Sequence, residues 1–262
     1  MLGAIAGDII GSTHERKRAT TRRFALFPTG SRFTDDTVLT AAVASALIDA
    51  RHSRNGAAPD YHSAVLAFAR QWPHAGYGGN FRKWIHSDNP RPYNSWGNGS
   101  AMRVSPIGFA FDDEASVLRE AERSAAITHN HPEGINAAQA VALGVLLARQ
   151  RRSKDEIRAT LTDRFAYDLD RTVESIRPTY QFEVSAQKSV PEAIVAFLDS
   201  SDFESAVRNA VWLGGDADTQ ACIAGALAEA YYSGVPTHIA TETQRRLDPE
   251  IVRVLELFNH VI

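Results

Sequence analysis

Apolar residues recur along most of this chain at the spacing of one helix face. Between Val38 and Leu47, apolar side chains stand at positions 38, 39, 42, 43, 46 and 47. Intervals of three and four residues between apolar positions are typical of an amphipathic α-helix. Further segments with a helical pattern are 65–69, 113–127, 133–150, 154–163, 191–199, 202–213, 217–232 and 249–260. Pro132 and Pro191 stand near the starts of two of them, where proline suits the first turn of a helix.

The alternation that is typical of a strand is confined to residues 180–184, which is too short to build a sheet. The chain is therefore predicted to be all-α. The irregular stretch at about 164–190 is the best candidate for a domain boundary, but no linker rich in Pro, Gly or Ser divides the chain there. One compact domain over residues 1–262 is the simpler interpretation.

Three glycines in the first apolar segment share one helix face. Gly3, Gly7 and Gly11 are four residues apart, so that face carries no side chains. A neighbouring helix could approach it closely, and this predicts a central, buried first helix.

Two short acidic clusters each open an apolar, helix-like run near opposite ends of the chain. They are Thr34-Asp35-Asp36-Thr37 and Asp216-Ala217-Asp218-Thr219. Taken singly, each is typical of ordinary helix capping, in which a side-chain oxygen accepts from a first-turn amide. If the fold brings them together, they supply carboxylates and hydroxyls, the hard oxygen ligands that suit Mg²⁺ or Mn²⁺.

Composition and charge exclude several other classes of protein. The 262 residues include 44% hydrophobic side chains, enough for a large core, and the net charge of −3 disfavours bulk binding to nucleic acid or to an anionic membrane. The first ten residues carry Asp8 and lack a basic lead, so no signal peptide is expected. The single cysteine, Cys222, is expected to be buried and inert. A soluble, cytoplasmic monomer is expected.

Two glycine-rich segments interrupt the helical pattern between about residues 72 and 103. Residues 76–80 read Gly-Tyr-Gly-Gly-Asn, and residues 94–100 read Asn-Ser-Trp-Gly-Asn-Gly-Ser. Such segments are usually turns, but their amides could also line a site for a diphosphate, with the tryptophan as a plane for a base. A third loop, Thr128-His129-Asn130-His131-Pro132, is read equally well as a helix cap with loop histidines or as part of a site.

In combination, these motifs resemble the ADP-ribosylglycohydrolases, a family that includes the dinitrogenase reductase-activating glycohydrolases. They fall in the family's order over about residues 1–233. The matching motifs are Gly7-Asp8, Gly11-Ser12-Thr13-His14-Glu15, Phe33-Thr34-Asp35-Asp36-Thr37, Gly97-Asn98-Gly99-Ser100-Ala101-Met102-Arg103, Thr128-His129 and Gly214-Gly215-Asp216-Ala217-Asp218-Thr219.

The resemblance implies an orthogonal bundle of helices with two Mg²⁺ or Mn²⁺ ions in a cleft that receives ADP-ribose. The metal ligands it implies are Thr34, Asp35, Asp36, Asp216, Asp218 and Thr219. The substrate-binding residues are Gly78, Gly79, Ser95, Trp96, Gly97, Asn98, Gly99 and His129. Glu15 matches a mobile active-site glutamate, and Trp96 replaces another aromatic residue near the adenine.

The expected reaction is hydrolysis at the ribose C1″ of an ADP-ribosylated protein or small ADP-ribose derivative. Two cations could orient the ribose hydroxyls and acidify a bound water. Asp35 or Asp216 could then act as general base, and Glu15 could gate the cleft or help to protonate the opening ribose or the leaving group. Arginine is the expected leaving group, with serine and acetyl as alternatives. A metal-dependent phosphoesterase and a non-catalytic ADP-ribose-binding module are the competing classes.

Overall fold

The computed structural model describes residues 1–53 and 55–262, and in these residues it contains fifteen α-helices and no strand. The helices are α1 (Leu2–Gly11), α2 (Asp35–His52), α3 (Tyr61–Gln71), α4 (Gly79–Ile85), α5 (Gly99–Met102), α6 (Ser105–Ala110), α7 (Glu114–Ala126), α8 (Pro132–Arg149), α9 (Lys154–Phe165), α10 (Val173–Ile176), α11 (Ala186–Leu198), α12 (Phe203–Leu213), α13 (Ala217–Tyr231), α14 (Thr237–Gln244) and α15 (Pro249–Val261). The predicted all-α class is confirmed. The segment 180–184 forms no strand, and Gly97 and Ser185 make an isolated antiparallel bridge beside it.

Helix α1 lies in the core and packs antiparallel against α13. A Cβ added at Gly3, Gly7 or Gly11 would overlap the backbone of Gly225, Ala221 or Ala217, respectively. Each step of four residues forward along α1 thus meets a step of four residues backward along α13. The glycine face predicted from the sequence is confirmed, and it sets the C-terminal end of α1 beside the N-terminal end of α13.

We expect Gly7→Ala to destabilise the protein by about 3 kcal/mol, at the upper end of the usual cost of overpacking a core. The added methyl would overlap the Ala221 carbonyl, and two helices would have to move apart. Gly144→Ala in α8 is the matched control, since its Cβ would meet the ends of two flexible side chains, Cδ2 of Leu227 at 2.8 Å and Cδ1 of Leu161 at 3.5 Å, and no backbone. Urea midpoints measure the difference. Equal midpoints for the two variants would contradict the close packing.

Some element boundaries differ from the sequence-based prediction. Helix α11 begins at Ala186, so Pro191 lies inside it and not in its first turn. Its five-residue N-terminal extension carries Lys188 and few apolar residues, which conceals it from a periodicity search. Helices α4, α5, α6, α10 and α14 were not indicated by the pattern. They have four to eight residues each, too few for a helical period to stand out.

In the described residues, no helix combines the length and apolar character that crossing a lipid bilayer requires.

Candidate metal centre and cleft

The packing of α1 on α13 brings the two acidic clusters together. The first cluster caps and opens α2, and the second opens α13. One carboxylate oxygen each from Asp8, Asp36 and Asp218 lie within 4.8 Å of one another, and all three residues are buried. Thr219 Oγ1 donates to Asp36 Oδ2 at 3.3 Å and links the clusters directly. The predicted convergence is therefore observed.

Asp8 belongs to this cluster but was not predicted as a site residue. Its carboxylate accepts from the Thr34 amide at 2.9 Å and from the Thr37 amide at 3.1 Å, so it holds the start of α2 against α1. The sequence did carry a signal, because Asp8 is the one charged residue in an otherwise apolar α1. Charged side chains are almost never fully buried without a partner or a metal.

Asp8 also orients the hydroxyl of Thr34. Thr34 Oγ1 lies 2.6 Å from Asp8 Oδ1 and donates its proton there. That proton is engaged and one lone pair accepts from the Asp36 amide at 3.4 Å, so the second lone pair can face a cation. Thr34 therefore meets the requirement for a neutral oxygen ligand.

Burial and mutual repulsion oppose the ionisation of the cluster. Burial, followed by the charge of Asp218, raises the pKa of Asp35 to about 8 and that of Asp8 to about 7. The same two causes raise the pKa of Asp216, and burial with the Asp8 charge raises that of Asp36. Such shifts indicate carboxylates crowded together without a counter-charge.

The donor set fits divalent cations. In the described part of the chain, no Lys, Arg or His forms an ion pair with these five aspartates. Asp36 Oδ1 is buried and accepts no hydrogen bond there. Uncompensated buried carboxylates are stabilised by binding a metal, and oxygen-only ligands suit Mg²⁺ and Mn²⁺.

Asn98 lies beside this centre and contacts one of its carboxylates. Its Nδ2 donates to Asp216 Oδ2 at 2.8 Å, and its backbone amide donates to the Val184 carbonyl at 2.9 Å. The side chain therefore orients Asp216. This contact adds a positioning role to the substrate contact that the resemblance implied.

Glu15 lies near the centre, in the irregular segment that follows α1. It is partly buried, and burial followed by the charge of Asp218 raises its pKa. Arg18 fastens the segment by donating to the Leu213 carbonyl at 2.9 Å and the Arg177 carbonyl at 2.5 Å. Arg177 donates in return to the Ala19 carbonyl at 2.8 Å. Glu15 is thus held near the cluster from one side.

The glycine-rich segments lie close to residues of the predicted site. A Cβ at Gly76 would lie 3.1 Å from Asp35 Oδ1, and the exposed Gly78 and Gly79 follow at the start of α4. On the other side, Cβ atoms at Gly97 and Gly99 would lie 3.8 Å and 3.1 Å from His129 Nε2. The first segment therefore lies beside Asp35 of the metal centre, and the second lies beside His129.

Trp96 projects from the second segment with 53% of its surface exposed. Its carbonyl accepts from the Ala186 amide at 2.9 Å, which fixes its backbone, while the indole remains largely uncovered. Ser95 Oγ accepts from the Gly97 amide at 3.3 Å and stabilises the turn. An exposed indole on a fixed backbone is available to a ligand and contributes little to the core.

Comparison with known proteins agrees with this geometry. A family model described as ADP-ribosylglycohydrolase matches residues 1–260. ADP-ribosylhydrolase ARH3 of Bos taurus is 27% identical over 88% of this chain and 83% of the bovine protein. An uncharacterized protein of Archaeoglobus fulgidus is 33% identical over 53% of this chain and 50% of its own length. A solved structure of an ADP-ribosylglycohydrolase-related protein complex matches with a TM-score of 0.72 and 26% identity, covering 100% of this chain and 97% of that one. The predicted fold type is confirmed.

Proposed function

The chain belongs to the ADP-ribosylglycohydrolase family and is an enzyme that hydrolyses ADP-ribose linkages, and from this premise we propose that it works at C1″ with a binuclear Mg²⁺ or Mn²⁺ centre. The grouping of four buried aspartates and the partly buried Asp35 without a counter-charge carries the metal part of the proposal. The proposed ligands are Thr34, Asp35, Asp36, Asp216, Asp218 and Thr219. When bound, the cations would supply Lewis acidity and lower the pKa of a coordinated water.

The side chains around the centre have separate roles in proton transfer. Asp35 or Asp216 accepts a proton from the attacking water, and Asn98 holds Asp216 in a fixed orientation through its 2.8 Å hydrogen bond. Glu15 donates a proton toward the opening ribose or the leaving group. Its raised pKa retains a larger protonated fraction than a solvated glutamate would have.

The rim beside Glu15 favours an uncharged leaving group. The segment continues as Arg16-Lys17-Arg18, and the charges of Arg16 and Arg32 act on the Glu15 carboxylate. A departing guanidinium would bring another positive charge to this basic rim, whereas a seryl hydroxyl or an acetyl group would not. The arginine preference predicted from the sequence is not supported by this charge pattern, and we propose an O-linked substrate instead.

The cleft loops complete the proposed substrate site. The glycine-rich segments that contain Gly78, Gly79, Ser95, Gly97 and Gly99 would surround the diphosphate and ribose. His129 would face the same groups, and the exposed indole of Trp96 would stack on the adenine.

A turnover screen tests the proposal. ADP-ribosyl-serine, O-acetyl-ADP-ribose and ADP-ribosyl-arginine are incubated with the enzyme in Mg²⁺ or Mn²⁺, and the products are identified by mass. We expect free ADP-ribose from the O-linked substrates and much less from the arginine adduct. Preferential cleavage of the arginine adduct would contradict the leaving-group assignment. Cleavage of ADP-ribose itself would indicate a phosphoesterase, and affinity without turnover would indicate a binding module.

We expect Trp96→Ala to weaken ADP-ribose binding by about 1–3 kcal/mol, the usual contribution of base stacking on an aromatic side chain. This corresponds to a dissociation constant about 5- to 150-fold higher. Calorimetric titration with ADP-ribose measures the change, and Trp96→Tyr is the matched control that keeps an aromatic plane. A large loss of thermal stability with unchanged affinity would show that the indole serves packing instead.

A further inference from the structure

Arg103 is a fully buried cation close after the cleft loop, as we call the glycine-rich segment of residues 94–100. It follows α5 directly, has 0% exposure, and forms no ion pair with a carboxylate in the described residues. Its Nη2 donates to the Ser124 carbonyl at 2.9 Å and to Thr128 Oγ1 at 3.0 Å. A guanidinium can only donate hydrogen bonds, so the direction of the contact with Thr128 is unambiguous.

The hydroxyl of Thr128 extends this hydrogen-bond chain to His129. Thr128 is fully buried, and its Oγ1 lies 2.8 Å from His129 Nδ1. Among the described residues, Nδ1 is the one acceptor within reach of the Thr128 hydroxyl proton. If Nδ1 carried a proton instead, that buried hydroxyl proton would have no acceptor, which typically costs about 1–3 kcal/mol. Thr128 therefore donates and Nδ1 accepts.

An accepting Nδ1 determines the state of the ring. The imidazole is then neutral, and its proton resides on Nε2. Burial and the Arg103 charge both lower the pKa of His129, which agrees with a neutral ring. Nε2 faces the glycine backbone of the cleft loop, where a Cβ at Gly99 would lie 3.1 Å from it. No side chain at Gly97 or Gly99 screens Nε2 from the cleft.

We propose that Arg103 and Thr128 are positioning residues that fix His129 as a neutral donor through Nε2–H, directed at an acceptor oxygen of the bound ADP-ribose. The identity of the ligand rests on the proposed function, whereas the direction of the hydrogen-bond chain rests on geometry alone. The hydrogen-bond chain keeps the proton of His129 on Nε2, so this nitrogen is always a donor to an anionic ligand. A free histidine would instead exchange between its two neutral tautomers.

Long-range ¹H–¹⁵N correlation NMR on the wild-type protein tests the hydrogen-bond chain without any activity measurement. We expect His129 to show the neutral Nε2–H tautomer at pH 7, with a His129→Gln sample assigning its signals among the nine histidines. An Nδ1–H tautomer or a doubly protonated ring would overturn the proposal. This measurement needs no folded variant at position 128.

The functional consequence is tested with Thr128→Val and its control Thr128→Ser. Valine matches the shape of threonine without the hydroxyl, so we expect mixed tautomers and an ADP-ribose dissociation constant about tenfold higher, the equivalent of one hydrogen bond. KM should rise with little change in kcat, since the reacting centre is untouched. Thr128→Ser should keep both the tautomer and the affinity. Unchanged tautomer and affinity in folded Thr128→Val would overturn the positioning role.

These outcomes separate the inference from the proposed function. The Nε2–H tautomer in a protein that does not hydrolyse any of the ADP-ribosylated substrates would leave the hydrogen-bond chain standing and contradict the proposed function. Turnover of an O-linked substrate by a protein with the Nδ1–H tautomer would support the proposed function and contradict the hydrogen-bond chain.

Discussion

Asp218→Asn is expected to abolish turnover and to weaken divalent-cation binding by more than about 100-fold, beyond the 10- to 100-fold typical of outer-shell residues. Asp218 is the neighbour whose charge acts on Asp8, Asp35 and Asp216, and its carboxylate lies within 4.8 Å of that of Asp36. No other residue of the cluster interacts with so many of the others. Its loss should therefore disrupt both proposed cation positions.

The same substitution should have opposite effects on stability with and without metal. Removing one buried charge relieves repulsion, so metal-free Asp218→Asn should melt at a higher temperature than metal-free wild type. Adding Mn²⁺ should raise the melting temperature of the wild type, because a ligand that binds only the native state stabilises it, and should raise that of the variant much less.

Calorimetric titration with Mn²⁺ and thermal melts measure these effects. Asp49→Asn is the matched control, because Asp49 is an exposed aspartate on α2. It should bind metal and melt like the wild type. Undiminished binding of two Mn²⁺ ions by Asp218→Asn would remove that carboxylate from the site.

Glu15→Gln is expected to reduce kcat by about 10²–10⁴-fold, the usual contribution of a positioned acid or base. Glutamine keeps the size of the side chain and removes the exchangeable acid. The charge of Asp218 acts on the Glu15 carboxylate, and Arg18 anchors the Glu15 segment to the Leu213 and Arg177 carbonyls, so the change should not move the loop. Metal stoichiometry should stay the same, because Glu15 is not a proposed ligand.

Steady-state rates at saturating Mn²⁺ measure this effect. Glu122→Gln, an exposed glutamate on α7, is the control for the substitution itself. If Glu15 were a solvated side chain without a catalytic role, Glu15→Gln would change kcat by less than about threefold, which corresponds to under about 1 kcal/mol in the activation barrier. A kcat near that of the wild type would end the candidacy of Glu15 as a catalytic group.

The long helices could be predicted because apolar residues recur in them at intervals of three and four positions. The long helices α2, α7, α8, α12, α13 and α15 each show the apolar period over three turns or more. The region near residues 72–103 was predicted as loops, yet α4 and α5 lie within it. Their seven and four residues are stabilised by contacts with the rest of the protein and not by a period of their own.

The all-α class, the glycine face of α1 and the two acidic clusters could be read from the amino-acid sequence, because each depends on residue types at short, regular spacing. How distant residues meet depends on the packing of the helices. The antiparallel packing of α1 on α13 placed Asp8 in the cluster, and the cleft loop brought Asn98 to Asp216, 118 positions away along the chain. A hydrogen bond at that separation leaves no trace in local periodicity, because it forms only after helices with no shared pattern have packed together.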